Sequence, residues 1–320
     1  MIKVGIVGYG NLGKACERAV RARADMETAA IFSRRKIVSE FNTQTADYAD
    51  LPLYKDKIDI MLLCGGSATD LTKQSNEVIK YFNTADSFDT HAQMNKHFSE
   101  MDASAKENNH IALIATGWDP GLFSVMRVLF ESILPEGDTY TFWGKGVSQG
   151  HSEAVRNIKG VKYAVQYTVP KDDAVDVIKS GGRPVLTTRQ KHLRECYVVP
   201  EDGADTAFIE SAIENMPDYF ADYDTLVHFI TEADFLLNHR AMPHGGMVLR
   251  SGEASGRVCN TEFKIKLESN PDFTAGVLVA YARAAVKMRR EGKTGAVTVF
   301  DIPVSYLSDK SSEELIGTLL

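Results

Sequence analysis

The sequence has little cysteine and no long apolar run. Its four cysteines are widely spaced, without a C-x-x-C pair or histidines at zinc-ligand spacing, so we expect reduced thiols and no metal site. No apolar run approaches the ~20 residues that span a bilayer. The N-terminal stretch MIKVGIVGYGNLG has glycines where a signal peptide has its apolar region. These absences predict a cytoplasmic protein.

A surplus of positive charge is also missing. The 36 lysines and arginines are outnumbered by 43 acidic residues, which gives a net charge of -7. Proteins that bind nucleic acid or anionic membranes usually carry a basic surplus, so neither partner is expected. The length of 320 residues allows two domains with substantial cores.

Short apolar runs alternate with helical patterns over the first 120 residues, which is typical of βαβ units and a parallel sheet. The predicted strands are Ile2 to Val7, Thr28 to Phe32, Ile58 to Cys64, Thr84 to Ser87 and His110 to Ala115. From about residue 140 the strands lengthen and alternate in polarity, which indicates a sheet with one open face. We therefore predict domains at residues 1–120 and 121–270, with residues 271–320 packing back on the first.

A glycine-rich loop follows the first predicted strand, with the sequence G-x-G-x-x-G at residues 8–13. Between a strand and a helix, such glycines allow a tight turn and a close approach to a pyrophosphate at the helix N-terminus. This context predicts a Rossmann-type α/β domain followed by an α+β domain with an open mixed sheet. The predicted cofactor contacts in the loop are Gly8, Tyr9, Gly10, Asn11, Leu12 and Gly13.

The same loop comes close to the phosphate loop of nucleoside triphosphatases, because Gly8 to Ala15 reads G-x-x-x-x-G-K-A. That motif needs Ser or Thr after the lysine to ligate magnesium, and Ala15 has no oxygen to offer. The triphosphatase interpretation is therefore excluded.

A basic cluster lies at the end of the second predicted strand, where NAD-binding proteins carry an acidic residue. Ser33, Arg34 and Arg35 stand there, and the next acidic residue is Glu40. A hydroxyl and two guanidinium groups suit a 2'-phosphate, so NADP is favoured over NAD. The alternative is a solvated basic loop.

Polar residues follow three other predicted strands. Ser67, Ala68 and Thr69 form a turn of small residues that would let a cofactor lie across the strand ends, or would simply cap a helix. Asp89 and Asp119 each follow a strand, and paired acids suit a cationic group such as an ammonium. Either acid could instead cap a helix.

Nine stretches of the sequence stand out in combination, namely VGIVGYGNLG, IFSRR, GSATD, ATGWDPGLFS, TFWGKGVSQGHSEAVR, VQYTVP, MPDYF, MPHGG and NPDFTA. Taken together, they resemble the meso-diaminopimelate D-dehydrogenase family over nearly the whole chain. The resemblance implies NADP-dependent oxidative deamination of the D-centre of meso-2,6-diaminopimelate by a homodimer. It also implies that the second domain binds substrate and forms the dimer.

The resemblance further implies roles for particular residues. Asp89 and Asp119 would face the D-centre amino group as the catalytic pair, and Trp118 and Trp143 would wall the pocket. The remaining substrate contacts implied are Gln149, Gly150, Thr168, Arg194, His244 and Asn270.

Two other interpretations stay open at this point. One is a different NADP oxidoreductase of the same plan, although an aspartate-semialdehyde-type enzyme needs a reactive cysteine, which neither Cys64 nor Cys196 clearly provides. The other is an NADP-binding sensor without turnover, which would have no need for a second group of amino-acid-binding residues.

Overall fold

The computed structural model describes residues 1–320 apart from the side chain of Ala68, so the predicted cofactor contact at Ala68 lies outside the described residues. The chain divides into two compact units, here called unit 1 (Met1–Val125 and Pro271–Leu320) and unit 2 (Met126–Asn270). Among the described residues, no helix has both the length and the apolar character needed to cross a membrane.

Fourteen strands are formed by the described residues. They are β1 Ile2–Val7, β2 Met26–Ser33, β3 Thr45–Asp47, β4 Ile60–Leu63, β5 Thr84–Asp86, β6 Ile111–Leu113, β7 Gly137–Trp143, β8 Gly146–Val147, β9 Val161–Pro170, β10 His192–Pro200, β11 Asp224–Phe229, β12 His244–Ala254, β13 Arg257–Leu267 and β14 Gly295–Val297.

In the part of the chain that the structure describes, eleven α-helices connect and cover these strands. They are α1 Asn11–Arg21, α2 Thr72–Val78, α3 Met94–Glu107, α4 Leu122–Ile133, α5 Gln149–Arg156, α6 Asp172–Lys179, α7 Thr188–Lys191, α8 Thr206–Glu214, α9 Glu232–Asn238, α10 Asn270–Arg290 and α11 Ser312–Leu319.

Unit 1 is built on a parallel seven-stranded sheet with the order β14-β6-β5-β4-β1-β2-β3. The chain reverses its winding direction between β1 and β4, and ligands of open parallel sheets bind at such a switch point, outside the carboxyl ends of the strands. Apolar side chains from β1, β4, β6 and α10 share one buried cluster. The prediction of a Rossmann-type α/β domain is confirmed.

Helix α10 explains how residues near the C-terminus join unit 1. Eleven of its residues are buried, and Arg283 pairs with Asp25 through two hydrogen bonds of 2.7 Å. Strand β14 then adds to the edge of the sheet beside β6. A capping box starts α11, since Ser311 accepts from the backbone N–H of Glu314 while the Glu314 carboxylate accepts from that of Ser311.

Unit 2 contains two sheets. The four-stranded sheet has the order β11-β10-β9-β8 and is mixed, because β10 and β11 are parallel while its other pairs are antiparallel. The second sheet, β13-β12-β7, is antiparallel and was not anticipated as a separate sheet. Helices α5 and α8 cover the first sheet through a cluster that includes Val155, Cys196 and Ile209.

Candidate active site

The glycine loop of unit 1 joins β1 to α1 at the switch point. Gly8 has a φ of +88°, which favours glycine, and its N–H donates to the carbonyl of Phe32 at 2.9 Å. A Cβ on Gly13 would overlap the carbonyl oxygen of Gly8, whereas a Cβ on Gly10 would meet nothing within 4 Å. The loop is therefore closed on the helix side and open above Gly10, next to the N-terminus of α1.

Tyr9 is held by a buried carboxylate that sequence reasoning missed. Its hydroxyl donates to Glu17, which is 1% exposed, and accepts from the backbone N–H of Glu40 at 2.8 Å. Ser39 also donates to Glu17, at 2.6 Å. Glu17 lies four residues after Gly13 and therefore on the same, buried face of α1. An acidic residue at a position predicted to face the core is the sequence signal that could have revealed it.

The basic cluster lies where β2 ends. The Ser33 hydroxyl accepts from the backbone N–H of Arg35 at 3.1 Å, and Arg34 forms an ion pair of 2.6 Å with Asp70. Asp70 belongs to the helical turn Ser67–Leu71 after β4, so the ion pair brings two predicted cofactor-binding segments together. Arg35 and Lys36 are exposed.

The turn after β4 also contacts the segment that carries Asp89. The hydroxyl of Ser67 accepts from the backbone N–H of Asp89 at 3.1 Å. Gly66 precedes the turn, and Thr69 within the turn is exposed. Ser67 thus links a predicted cofactor contact to a predicted catalytic acid.

Asp119 lies in a tight turn between β6 and α4. The N–H of Gly117 donates to the carbonyl of Pro120 at 2.9 Å, and Gly121 has a φ of +133° with no room for a side chain beside Gly117. Trp118 is 7% exposed and packs edge-on against Phe123. Since β5 and β6 are adjacent in the sheet, the segments of Asp89 and Asp119 leave neighbouring strands.

In unit 2, Thr168 and Arg194 face each other across the antiparallel pair β9 and β10. The Nη1 atom of Arg194 donates to Oγ1 of Thr168, and the guanidinium, in a residue that is 6% exposed, lies over the ring of Tyr223. Burial lowers the pKa of Arg194, although an arginine stays charged over the working pH range. Tyr223 was missed because its partner is 29 positions away in the sequence.

His244 lies near Thr168, with only Gly146 between them. Gly146 pairs with Thr168 in β8 and β9, and a Cβ on Gly146 would lie 2.6 Å from Cα of His244. The Nδ1 atom of His244 accepts from the backbone N–H of Gly245 at 2.8 Å, and burial lowers the pKa of this histidine.

Met242 connects the other predicted contacts. Gln149 at the start of α5 donates from Nε2 to the sulfur of Met242 at 3.2 Å, and the carbonyl of Met242 accepts from the backbone N–H of Asn270 at 3.1 Å. Gly150 has open space where a side chain would project. Unit 2 thus gathers Thr168, Arg194 and His244 in one group and Gln149 and Asn270 in another.

Trp143 ends β7 and is 40% exposed, with its indole stacked on His192 at 5.5 Å between ring centroids. Its backbone N–H donates to Nε2 of His192 at 2.9 Å, which requires a neutral imidazole. Burial, together with Arg194 and Lys191, lowers the pKa of His192 to about 4.

His151 is neutral for similar reasons, since burial and the charge of Arg194 lower its pKa to about 4. The histidines around Arg194 are therefore uncharged near neutral pH, and Arg194 is the fixed cation of this group. In the part of the chain that the structure describes, no group of three or more His, Cys, Asp or Glu side chains could hold a metal.

The chain resembles known proteins over its full length. The family described as the diaminopimelic acid dehydrogenase C-terminal domain matches residues 117–269. A meso-diaminopimelate D-dehydrogenase from Ureibacillus thermosphaericus is 54% identical over 100% of this chain and 99% of the relative.

Two solved structures are similar throughout. The DAP dehydrogenase of C. glutamicum in complex with DAP has a TM-score of 0.93 and 42% identity, covering 100% of this chain and 99% of that one. An engineered D-amino acid dehydrogenase bound to NADP+ has a TM-score of 0.87 and 41% identity, with the same coverage.

Proposed function

Because the chain belongs to the meso-diaminopimelate D-dehydrogenase family, we propose that it oxidatively deaminates the D-centre of meso-2,6-diaminopimelate, reversibly and with NADP. The products are L-2-amino-6-oxopimelate, which cyclises to L-tetrahydrodipicolinate, and ammonia. In the reverse direction the reaction feeds the synthesis of lysine and of cell-wall precursors. The observation that carries the proposal is the buried guanidinium of Arg194, a fixed cation suited to a substrate carboxylate.

The residues of unit 1 fit NADP. The open space above Gly10 and the N-terminus of α1 suit a pyrophosphate, with Tyr9, Asn11 and Leu12 in the same loop. The cluster Ser33, Arg34 and Arg35 would bind the 2'-phosphate, and Ser67 and Thr69 would border the cofactor after β4. When bound, NADP accepts the hydride from the D-configured carbon.

The reacting end of the substrate would be held by Asp89 and Asp119. Two carboxylates orient an amino group by charge-assisted hydrogen bonds, and Trp118 supplies an apolar wall beside Asp119. The hydrogen bond from Asp89 N–H to Ser67 supports this role, because it ties the acid to the cofactor turn.

The L-configured end would be held by residues of unit 2. Arg194 would bind its carboxylate, Thr168 fixes the guanidinium, and His244 and Asn270 would complete the site, with Trp143, Gln149 and Gly150 lining the approach. Binding energy from this remote end positions the reacting carbon. If this group of residues accepts only an L-centre, as we propose, the D-centre is the one presented for hydride transfer.

The decisive measurement is NADP reduction by the purified chain with meso-, LL- and DD-diaminopimelate, together with ammonia release. We expect turnover with the meso isomer and stoichiometric ammonia. Equal rates on all three isomers would contradict the proposal. NADPH binding without any turnover would indicate a sensor instead, and oxidation without ammonia would indicate another NADP oxidoreductase.

We also propose a cytoplasmic homodimer, in which unit 1 is the dinucleotide-binding domain and unit 2 the substrate-binding and dimerisation domain. Light scattering should give twice the chain mass of 35.3 kDa. A monomer at micromolar concentration would contradict the dimer and leave the proposed activity unaffected.

A further inference from the structure

Asp86 is a buried carboxylate at the end of β5 that contacts two functional segments at once. It is 1% exposed. Its Oδ1 atom accepts from the backbone N–H of Phe88 at 3.0 Å and from that of Ala115 at 2.9 Å. Its own carbonyl accepts from the N–H of Thr116 at 2.9 Å. Two of these hydrogen bonds therefore join Asp86 to the segment that follows β6, and the third joins it to Phe88 in its own segment.

We propose that Asp86 is a positioning residue for the reaction and sets the places of Asp89 and Asp119 through these backbone hydrogen bonds. The inference rests on the proposed function, in which both acids hold the amino group of the substrate. Phe88 immediately precedes Asp89, and Thr116 is three residues before Asp119. A shift of Asp86 would therefore displace both acids together.

The segment before Asp119 needs such support. Ala115 has a φ of +54°, a left-handed conformation that a residue with a side chain rarely adopts unless its surroundings hold it there. The carboxylate of Asp86 accepts from the N–H of Ala115, and the backbone carbonyl of Asp86 accepts from the N–H of Thr116. The conformation at Ala115 directs the chain into the turn that contains Asp119.

His97 on α3 holds the carboxylate in place. Its Nε2 atom lies 2.9 Å from Oδ2 of Asp86, and the residue is 5% exposed. Its ring also stacks on Phe88, with 4.1 Å between the ring centroids and an angle of 18°. Since His97 engages Oδ2, Oδ1 is left for the two backbone amides, and the stacked ring fixes the residue next to Asp89.

The experiment compares Asp86→Ala with Asp86→Asn. Alanine removes the side-chain acceptor of both amides, whereas asparagine keeps an oxygen for them and places an amide nitrogen opposite Nε2 of His97. We expect kcat on meso-diaminopimelate to fall about 10- to 100-fold in Asp86→Ala and to stay within about threefold in Asp86→Asn. The dissociation constant of NADPH should stay within about twofold in both variants, because the glycine loop is untouched.

Asp102→Ala is the matched control. Asp102 also accepts from a backbone N–H of unit 1, that of Ala296 at 3.0 Å, but it belongs to α3 and does not contact the segments of Asp89 or Asp119 through that bond. We expect lower stability and an unchanged kcat. A loss of kcat equal to that of Asp86→Ala would show a general effect of destabilisation and overturn the inference.

A double-mutant cycle with Asp119→Asn provides a readout that a purely structural role would not affect. If Asp86 acts through Asp119, Asp86→Ala should cost less activity in the Asp119→Asn background than in the wild type. Additive losses would overturn the inference.

If Asp86→Ala does not fold, His97→Phe provides a second test. It keeps an aromatic ring to stack on Phe88 and removes the ring nitrogen that contacts Asp86, so kcat should fall severalfold. An unchanged kcat would overturn the inference.

Failure of this inference is distinguishable from failure of the proposed function. An inactive wild-type chain would refute the function and with it the role of Asp86. An active wild type whose Asp86→Ala variant keeps its kcat would refute only the role of Asp86.

Discussion

The guanidinium carbon of Arg194 lies 3.8 Å from the centroid of the Tyr223 ring. A cation in contact with an aromatic face is stabilised by about 2 kcal/mol when both are shielded from water. The Nε atom of Arg194 is buried and has no hydrogen-bond partner among the described residues, so the protein leaves one donor of this guanidinium unsatisfied. The ring thus orients a cation whose hydrogen-bonding capacity is not used up by the protein.

Replacing Tyr223 should weaken substrate binding without affecting the cofactor. Tyr223→Leu removes the aromatic face that orients the guanidinium, and we expect the KM for meso-diaminopimelate to rise about 10- to 30-fold because substrate binding must then supply the up to about 2 kcal/mol that orients it. Tyr223→Phe keeps the aromatic ring and should raise the KM less. Arg194→Ala should have the larger effect on kcat/KM.

Steady-state kinetics with each substrate varied in turn would check this prediction. The control is Arg189→Ala, since Arg189 is exposed and pairs with Asp224 at 2.8 Å. An unchanged KM in both Arg194→Ala and Tyr223→Leu would remove this pair from the substrate site.

The basic cluster should discriminate between the two nicotinamide cofactors. Charge-assisted hydrogen bonds to a 2'-phosphate contribute about 1.5 to 3 kcal/mol, so the Arg34→Ala, Arg35→Ala double variant should bind NADP about 10- to 100-fold more weakly. Its affinity for NAD should change little. Lys36→Ala is the control. Equal losses of affinity for both cofactors, measured by calorimetry, would indicate that the cluster is a solvated loop.

The glycines of the loop should respond differently to alanine. Gly10→Ala should fold with near-normal stability, because a Cβ there meets nothing within 4 Å, and should lose affinity for NADP where the backbone must approach the pyrophosphate. Gly13→Ala should lose stability as well, since its Cβ would overlap the carbonyl of Gly8. Thermal unfolding and NADPH titration separate the two effects; equal stability of both variants would contradict the packing argument.

The stability of the protein should fall in acid partly because of His192. Its pKa is about 4 in the folded chain against 6.5 for a free histidine, so the unfolded chain binds the extra proton between these values. Its contribution is complete above pH 6.5 and is lost as the pH falls towards 4. The loss is on the order of 2 to 3 kcal/mol.

His192→Gln should therefore show a smaller decrease in unfolding free energy between pH 7 and pH 4.5, as measured by urea titration. Glutamine keeps an acceptor for the N–H of Trp143. The exposed His91 provides the control, because His91→Gln should behave as the wild type does. The same pH dependence in His192→Gln as in the wild type would contradict the assignment.

Local patterns were enough to predict much of unit 1. The glycine loop, β1 and β2 have strong signals within a few residues, and residues 271–320 belong to unit 1 as predicted. The strand predicted at Ile58 to Cys64 is shorter, Ile60–Leu63, because pairing also depends on the neighbouring strands, of which β5 has only three residues.

The residues that were missed have partners far away in the sequence. Asp86 binds Ala115 and His97, and Glu17 binds Ser39, so neither carboxylate can be recognised before the sheet order is known. The separate sheet β13-β12-β7 was missed for the same reason, since alternating polarity predicts a strand without naming its neighbours. The predicted roles of the site residues remain predictions that the variants above test.

The division of the chain also has a consequence for its synthesis. Unit 2 is one continuous segment, Met126–Asn270, whereas unit 1 needs α10 in its core and β14 at the edge of its sheet. When residues 1–125 have left the ribosome, six of the seven strands of the unit 1 sheet, β1 to β6, have been made, but α10, which packs in its core, has not. Domains generally fold as units during synthesis, so unit 2 can reach its native structure first, and the fold of unit 1 is completed only after residue 297 has left the exit tunnel.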